Sequence, residues 1–566
     1  MKYILLLMTL CLVSCAKEIP VDETIEYTLT VDYAYGDNEM TYTYYQGQMI
    51  ETLEDLTREG FKFIGYELDG KPLVLPYKMV KDTVIKAIWA AKPKLTLDYR
   101  ITYDAYPEGE YVLPIPNRAN YRFYGWFDNE DFIGKPIEVV NLTEDLHLFA
   151  CFELEIDAFD QDMKNLATLP VSDHLSLPST FNGFDISYTS SSQTITPEGK
   201  FNKPFVEEYV TLTATITDGK LTEERSYTFK TVPYPALEAG KIRSSYTRMF
   251  SGLTDKYFES VDIINPSFAT VNEHGYFLTP NYFTNVNVYI MPKARQYNNR
   301  VMLVVGPGTD WSGMVKNGTK AFDTFVDNLV EAVLKHGFAG VDIDWETPKG
   351  QTEAVWYVYL MEQLHTKLKA KNPNYLITSA IAGGQWQPQH YNLKDSGQYH
   401  DYINMMAYDM VNSGGGYQNA LFYRSGYHDT TLNVGRVTLS CSIDESVAIY
   451  NGYGIPNSKI IAGVAFYGRN QTLKDGVWDH AGYATSYHYI KVLLDEGELI
   501  EKYDSIAQVP YAVNAQGTRF VSYDNRRSIL AKGEYVKTEG LAGLMNWDQS
   551  HDNQFELIGY MSQALK

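Results

Sequence analysis

The most constraining feature of this sequence is a short apolar segment, residues 340–346, that carries three acids at every second position. Side chains two residues apart on a strand point the same way, so a strand over this segment would place Asp342, Asp344 and Glu346 on one face. Ile343 and Trp345 would face the other side. Three like charges on an apolar strand are costly unless a site uses them, which favours a catalytic carboxylate array over a solvated surface strand.

The totals exclude some classes of protein. With 566 residues the chain is too long for one ordinary domain, and 45% hydrophobic residues suffice for several cores. The formal net charge of −22 argues against nucleic acid as a partner. We also expect the protein to be a monomer. Cys151 and Cys441 fall in different predicted domains, so no disulfide framework is expected.

The N-terminus has the pattern of an export signal. Lys2 precedes an apolar run, residues 3–13, that is too short to span a bilayer as a helix. Residues 12–15, Leu-Val-Ser-Cys, resemble the lipobox of bacterial lipoproteins, which implies cleavage after residue 14 and lipidation of Cys15. A plain secretory signal is the alternative. We expect a lipid-anchored protein in the envelope of a Gram-negative-type bacterium, at the outer membrane or the cell surface.

The next part of the chain predicts three all-β domains. Residues 61–66 recur in similar form at 121–126, and each copy closes in an alternating strand, 83–89 and 146–152. This pattern resembles the internalin-type B repeat of bacterial surface proteins, so we place repeats at 26–92 and 93–154 and expect them to be spacers. Residues 155–234 resemble a bacterial Ig-like β-sandwich.

Residues 235–566 alternate strands and helices. An uninterrupted apolar run, residues 301–305, predicts a covered parallel strand, and Thr319 is expected to cap a helix that Gly337 ends. Further strands are expected at 375–381, 402–407, 459–465 and 541–546. The pattern predicts a (β/α)8 TIM barrel. A doubly wound sheet is the alternative, but residues 306–308, Gly-Pro-Gly, lack the spacing of a dinucleotide fingerprint.

Several predicted strands end in residues suited to sugar chemistry, and together these ends carry a family resemblance. Residues 340–346, the motif Met406-x-Tyr408-Asp409, Tyr467-Gly-Arg469 and the late Trp547 resemble, in order, the motifs of family 18 glycoside hydrolases. The resemblance implies a small α+β insertion at about 470–535. Ala339 departs from the family pattern, which usually has an acid or amide there.

The resemblance implies a role for each site residue. Glu346 would be the acid and base, Asp344 would accept from the substrate acetamido group, Asp342 would share a proton with Asp344, and Tyr408 would donate to the acetamido oxygen. Asp409 would orient Tyr408. The expected substrate-binding residues are Asp409, Met406, Tyr467, Arg469, Trp547 and Trp386. No metal or other cofactor is expected.

The predicted function is retaining, substrate-assisted hydrolysis of β-1,4-linked N-acetylglucosamine glycans such as chitin, through an oxazolinium ion. Three alternatives stay open: an endo-β-N-acetylglucosaminidase acting on N-glycans, a non-catalytic surface glycan-binding protein, and an adhesin in which the β domains are the active part.

Overall fold

The computed structural model describes residues 21–98, 101–103, 110–384, 387–410, 416–423, 427–429, 434–437, 441–475 and 477–566. These residues form two compact units. The first contains the described residues up to Phe159 with Thr180–Ile186 and Ile216–Glu223, and the second contains Asp160–Ser179, Ser187–Thr215 and Glu224–Lys566. Among the described residues, no helix combines the length and the apolar character needed to cross a bilayer.

Two successive β domains open the chain and share a topology. In each, one strand runs parallel to the last strand of its domain, and the strand that begins the repeated motif pairs antiparallel with that last strand. The sheet orders are β2-β1-β7-β4-β5 and β11-β13-β8-β9, with small ladders β3-β6 and β10-β12. The strands are β1 (Asp22–Asp32), β2 (Glu39–Gln46), β3 (Met49–Ile50), β4 (Phe61–Leu68), β5 (Lys71–Pro72), β6 (Tyr77–Lys78), β7 (Thr83–Ala91), β8 (Leu95–Asp98), β9 (Ile101–Tyr103), β10 (Glu110–Val112), β11 (Tyr121–Phe127), β12 (Val139–Asn141) and β13 (Leu146–Leu154).

The following segment contains one helix and one four-stranded sheet, in the order β14-β15-β16-β17. Its elements are α1 (Asp157–Leu166), β14 (Thr180–Phe181), β15 (Phe184–Ser190), β16 (Tyr209–Thr217) and β17 (Thr222–Lys230). The likeness of this segment to an Ig-like sandwich stays a prediction, as does the likeness of the first two domains to internalin repeats. Cys151 and Cys441 are both free thiols.

The rest of the chain contains a closed barrel of eight parallel strands, in the order β18-β19-β20-β21-β22-β23-β26-β32, which confirms the predicted TIM barrel. The strands of this part of the chain, inside and outside the barrel, are β18 (Ile242–Thr247), β19 (Ile263–Pro266), β20 (Arg300–Val305), β21 (Gly340–Ile343), β22 (Leu376–Ala382), β23 (Tyr402–Met406), β24 (Tyr427–Asp429), β25 (Val434–Val437), β26 (Ile460–Ala465), β27 (Tyr467–Lys474), β28 (Val477–Ser486), β29 (Ile500–Asp504), β30 (Val509–Val513), β31 (Arg519–Ser522) and β32 (Gly543–Trp547). A short hairpin pairs β24 with β25.

The helices of this part of the chain cover the outside of the barrel, except α10, which belongs to the insertion. They are α2 (Asp255–Ser260), α3 (Pro280–Asn285), α4 (Met291–Tyr297), α5 (Trp311–Asn317), α6 (Thr319–His336), α7 (Gly350–Lys371), α8 (Leu393–Ser396), α9 (Ile443–Gly452), α10 (Tyr487–Asp495), α11 (Arg526–Glu539) and α12 (Glu556–Ala564). A π-helical segment, Val286–Ile290, joins α3 to α4. Between β26 and α11, an antiparallel sheet in the order β28-β27-β31-β30-β29 and helix α10 form the α+β insertion.

Strand β20 illustrates how the barrel is packed. Val301, Leu303 and Val305 pack against the helices, whereas Met302 and Val304 belong to the separate interior cluster. Every residue of β20 is buried, as a parallel strand covered on both faces requires.

Helix α6 leads into the acidic strand. Gly337 ends it with φ 75°, as predicted, in the left-handed conformation that favours glycine. The prediction that Thr319 caps this helix is wrong by one position. Gly318 occupies the cap with φ 64°, a conformation that a β-branched residue avoids, and Thr319 is the first helical residue.

In the described part of the chain, three peptide bonds that do not precede proline are cis, and each follows the end of a barrel strand: Ser267–Phe268, Glu346–Thr347 and Trp547–Asp548.

Candidate active site

The acidic segment lies at the carboxyl end of β21. Asp342 and Asp344 are buried, and Glu346 is exposed two residues further on. The amide of Asp344 donates to the carbonyl oxygen of Val305 at 2.8 Å, which extends the ladder by one residue. The prediction of a strand that reaches Glu346 is wrong, because the neighbouring β20 ends at Val305 and β21 ends at Ile343 opposite it.

The other face of this segment packs as predicted. Trp345 is buried, and its ring stacks on that of Trp311 with centroids 4.7 Å apart and planes at 6°. The hydroxyl of Tyr391 donates to the carbonyl oxygen of Trp345 at 2.7 Å. These contacts fix the backbone that follows Asp344.

Asp342 accepts hydrogen bonds from side chains on three other strands of the barrel, β18, β22 and β23. The Tyr246 hydroxyl donates to Oδ2 at 2.8 Å, the Asn404 amide donates to Oδ1 at 3.2 Å, and the Thr378 hydroxyl donates to the same Oδ1. The amide of Asn404 also donates to the Tyr246 hydroxyl at 2.9 Å. Burial raises the pKa of Asp342, and these three donors oppose that rise.

Asp344 shares a hydrogen bond with Glu346. Burial raises the pKa of Asp344 well above its usual range, and the charges of Glu346 and Asp342 add to the rise. The surrounding protein also raises the pKa of Glu346, although the hydrogen bond from Asp344 opposes this and the charge of Asp409 reinforces it. The two carboxyls therefore titrate as a coupled pair that shares one proton.

Two details follow for Asp344. Its Oδ1 is buried and has no hydrogen-bond partner among the described residues, so it is an acceptor available to a ligand. The predicted proton sharing between Asp342 and Asp344 stays a prediction. The oxygens of Asp342 accept from Tyr246, Thr378 and Asn404.

Asp409 connects the barrel to the insertion. It has φ 59°, and its carboxylate accepts from the Tyr467 hydroxyl at 2.8 Å and from Arg469 Nε at 2.6 Å. A second Arg469 nitrogen donates to the other carboxylate oxygen, which makes the ion pair bidentate. The prediction that Asp409 orients Tyr408 is not supported, because its contacts go to β27.

Tyr408 is buried beside Tyr467, and the centroids of the two rings lie 6.1 Å apart. Its hydroxyl makes a weak contact with Met545 Sδ at 3.9 Å. Burial raises the pKa of Tyr408 well above its usual range, so the hydroxyl stays protonated and can donate.

Trp547 ends β32 at the same edge of the barrel. Its ring stacks on Phe268 with centroids 5.6 Å apart and planes at 22°, and it meets Tyr246 at 5.9 Å. Met406 is partly buried in the same interior cluster. These aromatic rings give the site an apolar wall beside the carboxylates, as sugar faces require.

Most predicted site residues thus meet at one end of the barrel, whereas Trp386 and Cys15 lie outside the described residues. The sequence reasoning missed Tyr246, Thr378 and Phe268 as site residues. Thr378 could have been predicted, because it lies directly opposite Asp342 where two predicted strands pair. Tyr246 lies in β18 and Phe268 follows β19, and neither strand was predicted from the sequence.

The fold and site define a class of protein. A buried carboxyl that shares its proton with an exposed one, beside a protonated Tyr and a stacked Trp, is suited to acid–base cleavage of a sugar bond at the carboxyl end of a (β/α)8 barrel. The sequence model of the family "Glycosyl hydrolases family 18" matches residues 243–552, which is more than half of the chain. The chain therefore belongs to family 18 of the glycosyl hydrolases, and it is a chitinase-like glycosidase.

Individual relatives agree with this assignment. The chain is 28% identical over 308 residues to "Endochitinase 1" of Metarhizium robertsii, a match covering 49% of this chain and 68% of that protein. It is 30% identical over 249 residues to a "Probable endochitinase" of Caenorhabditis elegans, covering 40% and 39%. The class V chitinase from Nicotiana tobaccum superposes with a TM-score of 0.50 at 20% identity, over 57% of this chain and 99% of that one, which shows the fold.

Proposed function

We propose that this chain hydrolyses β-1,4-linked N-acetylglucosamine glycans, chitin or chitooligosaccharides, with retention of configuration and with the substrate acetamido group as the nucleophile. The observation that carries the proposal is the Asp344–Glu346 pair, in which the buried Asp344 keeps Oδ1 without a partner among the described residues. That oxygen is suited to accept a substrate N–H. The chitinases among the relatives support the choice of substrate.

In the proposed first step Glu346 gives its proton to the glycosidic oxygen. The bond from C1 to that oxygen breaks, and the acetamido carbonyl oxygen of the same sugar forms a new bond to C1, which gives an oxazolinium ion. Asp344 accepts from the acetamido N–H, and its carboxylate offsets the positive charge of the ring. Tyr408 donates to the acetamido carbonyl oxygen and orients it.

In the second step Glu346 is the base. It takes a proton from water as the water oxygen attacks C1, and the bond between C1 and the acetamido oxygen breaks. The product retains its configuration because C1 is displaced twice. The proton shared with Asp344 supports both steps, since it can lie on Glu346 for the first and be replaced from water in the second.

The test is Glu346→Gln, assayed on chitotetraose. We expect kcat to fall by at least about 1000-fold with the binding constant little changed, because the amide keeps the size of the side chain but cannot donate the catalytic proton. Glu331→Gln, an exposed position on α6, is the matched control and should keep full activity. Hydrolysis by Glu346→Gln near the unmodified rate would contradict the proposal.

The alternatives differ in substrate or in turnover. Assays of chitotetraose and of an N-glycan with a chitobiose core, run side by side, separate chitinase from endo-β-N-acetylglucosaminidase. Calorimetry that detects chitotetraose binding with no product would favour a glycan-binding protein. Ala339 does not favour that reading, because it lies before the first residue of β21, at the end of the strand opposite to the acids.

We also propose that the mature chain is anchored by a lipid on Cys15, and that the β domains are spacers between anchor and barrel. The export signal and the Leu-Val-Ser-Cys segment support the anchor. Incorporation of labelled palmitate into the chain, and its loss in Cys15→Ala, tests it. An unlabelled chain released from the membrane by salt alone would contradict it.

A further inference from the structure

A second cavity lies in the same compact unit as the barrel, at the end opposite to the acids. It has a volume of about 180 Å³, and its walls come from the segment before the barrel, from α4, and from the end of α6. The lining includes the start of β20 at Val301, whereas the acids follow the end of β21. The carboxyl ends of the strands and the proposed sugar site are therefore not part of it.

The lining is strongly cationic although the whole chain is acidic. It contains Lys200, Lys203, Arg295 and Lys335, and it includes no Asp or Glu among the described residues. Among the residues that the structure describes, the carboxylate bonded to these cations is that of Asp173, which accepts from Arg295 at 2.8 Å and is mostly exposed. Lys200 donates to the carbonyl oxygen of Lys335. This concentration of positive charge is thus only partly offset.

Lys203 is the most unusual of these groups. Its Nζ is buried and has no hydrogen-bond partner among the described residues. It lies 5.7 Å from the ring centroid of Tyr234, and the same ring carries the Arg300 guanidinium at 4.9 Å. An isolated buried ammonium is costly unless an opposite charge accompanies it, so a position like this is suited to an anion.

The titration of the cluster agrees with this geometry. Burial, together with the charge of Arg300, lowers the pKa of Lys203 to about 8. Burial and the charge of Arg295 lower the pKa of Lys200. The pKa of His336 is lowered by burial and by Lys335 and Lys200. All three groups therefore lie close enough to other cations to repel them, and an anion would relieve that repulsion.

The cavity also contains acceptors. The amide oxygens of Asn202 and Asn299 are buried and have no partner among the described residues. The Asn299 orientation is fixed, because its amide nitrogen donates to the carbonyl oxygens of Phe258 at 2.9 Å and Val261 at 2.6 Å. Such oxygens need hydroxyl or amine donors, which a sulfate dianion lacks and of which a hydrogen phosphate dianion carries only one.

We propose that this cavity is a binding site for a small hydroxylated anion, of the class of sugar phosphates and sugar acids. The anionic group is received by Lys203 and Lys200, and the hydroxyl groups donate to Asn202 and Asn299. The site is separate from the acids of β21 and does not depend on the proposed hydrolase activity.

The experiment is titration calorimetry of the full chain at low ionic strength with glucose 6-phosphate, glucuronate, inorganic phosphate and neutral glucose. We expect glucose 6-phosphate or glucuronate to bind more tightly than phosphate, no binding of glucose, and weaker binding as salt is added. In Lys203→Met, binding should weaken about tenfold or more, because a charge-assisted hydrogen bond is lost. Lys316→Met, which removes the same charge at an exposed site on α5, should bind normally.

A second measurement keeps the test independent of folding. In the absence of anion, Lys203→Met should melt at a higher temperature than the unmodified chain, since it removes a buried unpaired charge. Glucose 6-phosphate should raise the melting temperature of the unmodified chain more than that of this variant. The proposal is overturned if neither sugar anion binds, if phosphate binds as tightly as both, or if Lys203→Met binds them as the unmodified chain does.

Discussion

At the scale of single residues, the proton shared by Asp344 and Glu346 sets the pH range of the proposed reaction. The pair must hold one proton: the reaction stops at low pH when both carboxyls are protonated and at high pH when both are ionised. Because burial raises the pKa of Asp344, and partial desolvation by the surrounding protein raises that of the more exposed Glu346, the upper limit lies above the usual range of a carboxylic acid. We therefore expect a bell-shaped dependence of kcat/KM on pH.

Asp409 supplies a test of that upper limit. Its charge raises the pKa of Glu346, so Asp409→Asn should lower the pKa that governs the basic limb. Activity is then lost at a lower pH on the alkaline side. Asn tolerates the left-handed backbone at this position, and Asp475→Asn, an exposed residue with φ 52°, is the matched control. A basic limb that stays in place would contradict the assignment of Glu346.

Tyr246 should tune the same profile through Asp342. Tyr246→Phe removes one of three donors that oppose the raised pKa of this buried acid, so Asp342 is more easily protonated. A neutral Asp342 no longer raises the pKa of Asp344, and we expect kcat to fall roughly tenfold with a basic limb at lower pH.

Tyr450→Phe is the control for Tyr246→Phe. The Tyr450 hydroxyl is buried and donates to the carbonyl oxygens of Ile381 and Ala382, each at 3.0 Å. Its loss should reduce the free energy of unfolding by about 1 to 3 kcal/mol and leave the pH profile unchanged. Equal pH profiles for both variants would reject the role given to Tyr246.

At the scale of secondary-structure elements, the ends of β19, β20 and β21 meet without spare room. A Cβ on Gly306, the residue after β20, would lie 2.5 Å from the Phe268 ring and 3.2 Å from Cβ of Asp344. Gly306→Ala must therefore move Phe268 or Asp344. We expect a stability loss of about 1 to 3 kcal/mol and a fall in kcat of up to about 100-fold.

Gly452→Ala is the matched change at a position with open space around the added methyl group. It should alter neither the melting temperature by more than a few degrees nor kcat. Steady-state kinetics with circular dichroism distinguishes a displaced Asp344 from a failure to fold. Full activity in Gly306→Ala would mean that the strand ends can adjust without cost.

These strand ends also indicate what the sequence could and could not predict. Alternating acids and apolar runs identified β20 and β21, because side-chain direction on a strand depends only on local spacing. The end of β21 depends on where β20 stops, and the partners of Asp342 come from three other strands. The contacts of Asp409 required the position of β27. Such distances across the sheet have no local pattern in the sequence.

At the scale of the whole molecule, the proposed chemistry is confined to one of the two compact units. All site residues named above lie between Tyr246 and Trp547, within the family 18 match, whereas the first two β domains end at Leu154. A chain that lacks residues 21–154 should therefore cleave soluble chitotetraose with kcat and KM within about twofold of the full chain, because no residue of the candidate site belongs to the deleted segment.

The same truncation separates the spacer role from a direct role in catalysis. If the β domains are spacers, their removal should leave turnover of soluble chitotetraose intact and reduce the activity that whole cells show toward chitin particles, which cannot approach a short anchor. Near-ultraviolet circular dichroism checks that the rest of the chain is folded. This control is needed because the deletion removes the Tyr121 ring, whose centroid lies 5.3 Å from that of Phe184. A folded truncated chain that does not cleave the soluble substrate would show that the β domains contribute to the site. If the truncated chain binds cells as the full chain does, the β domains are not adhesins.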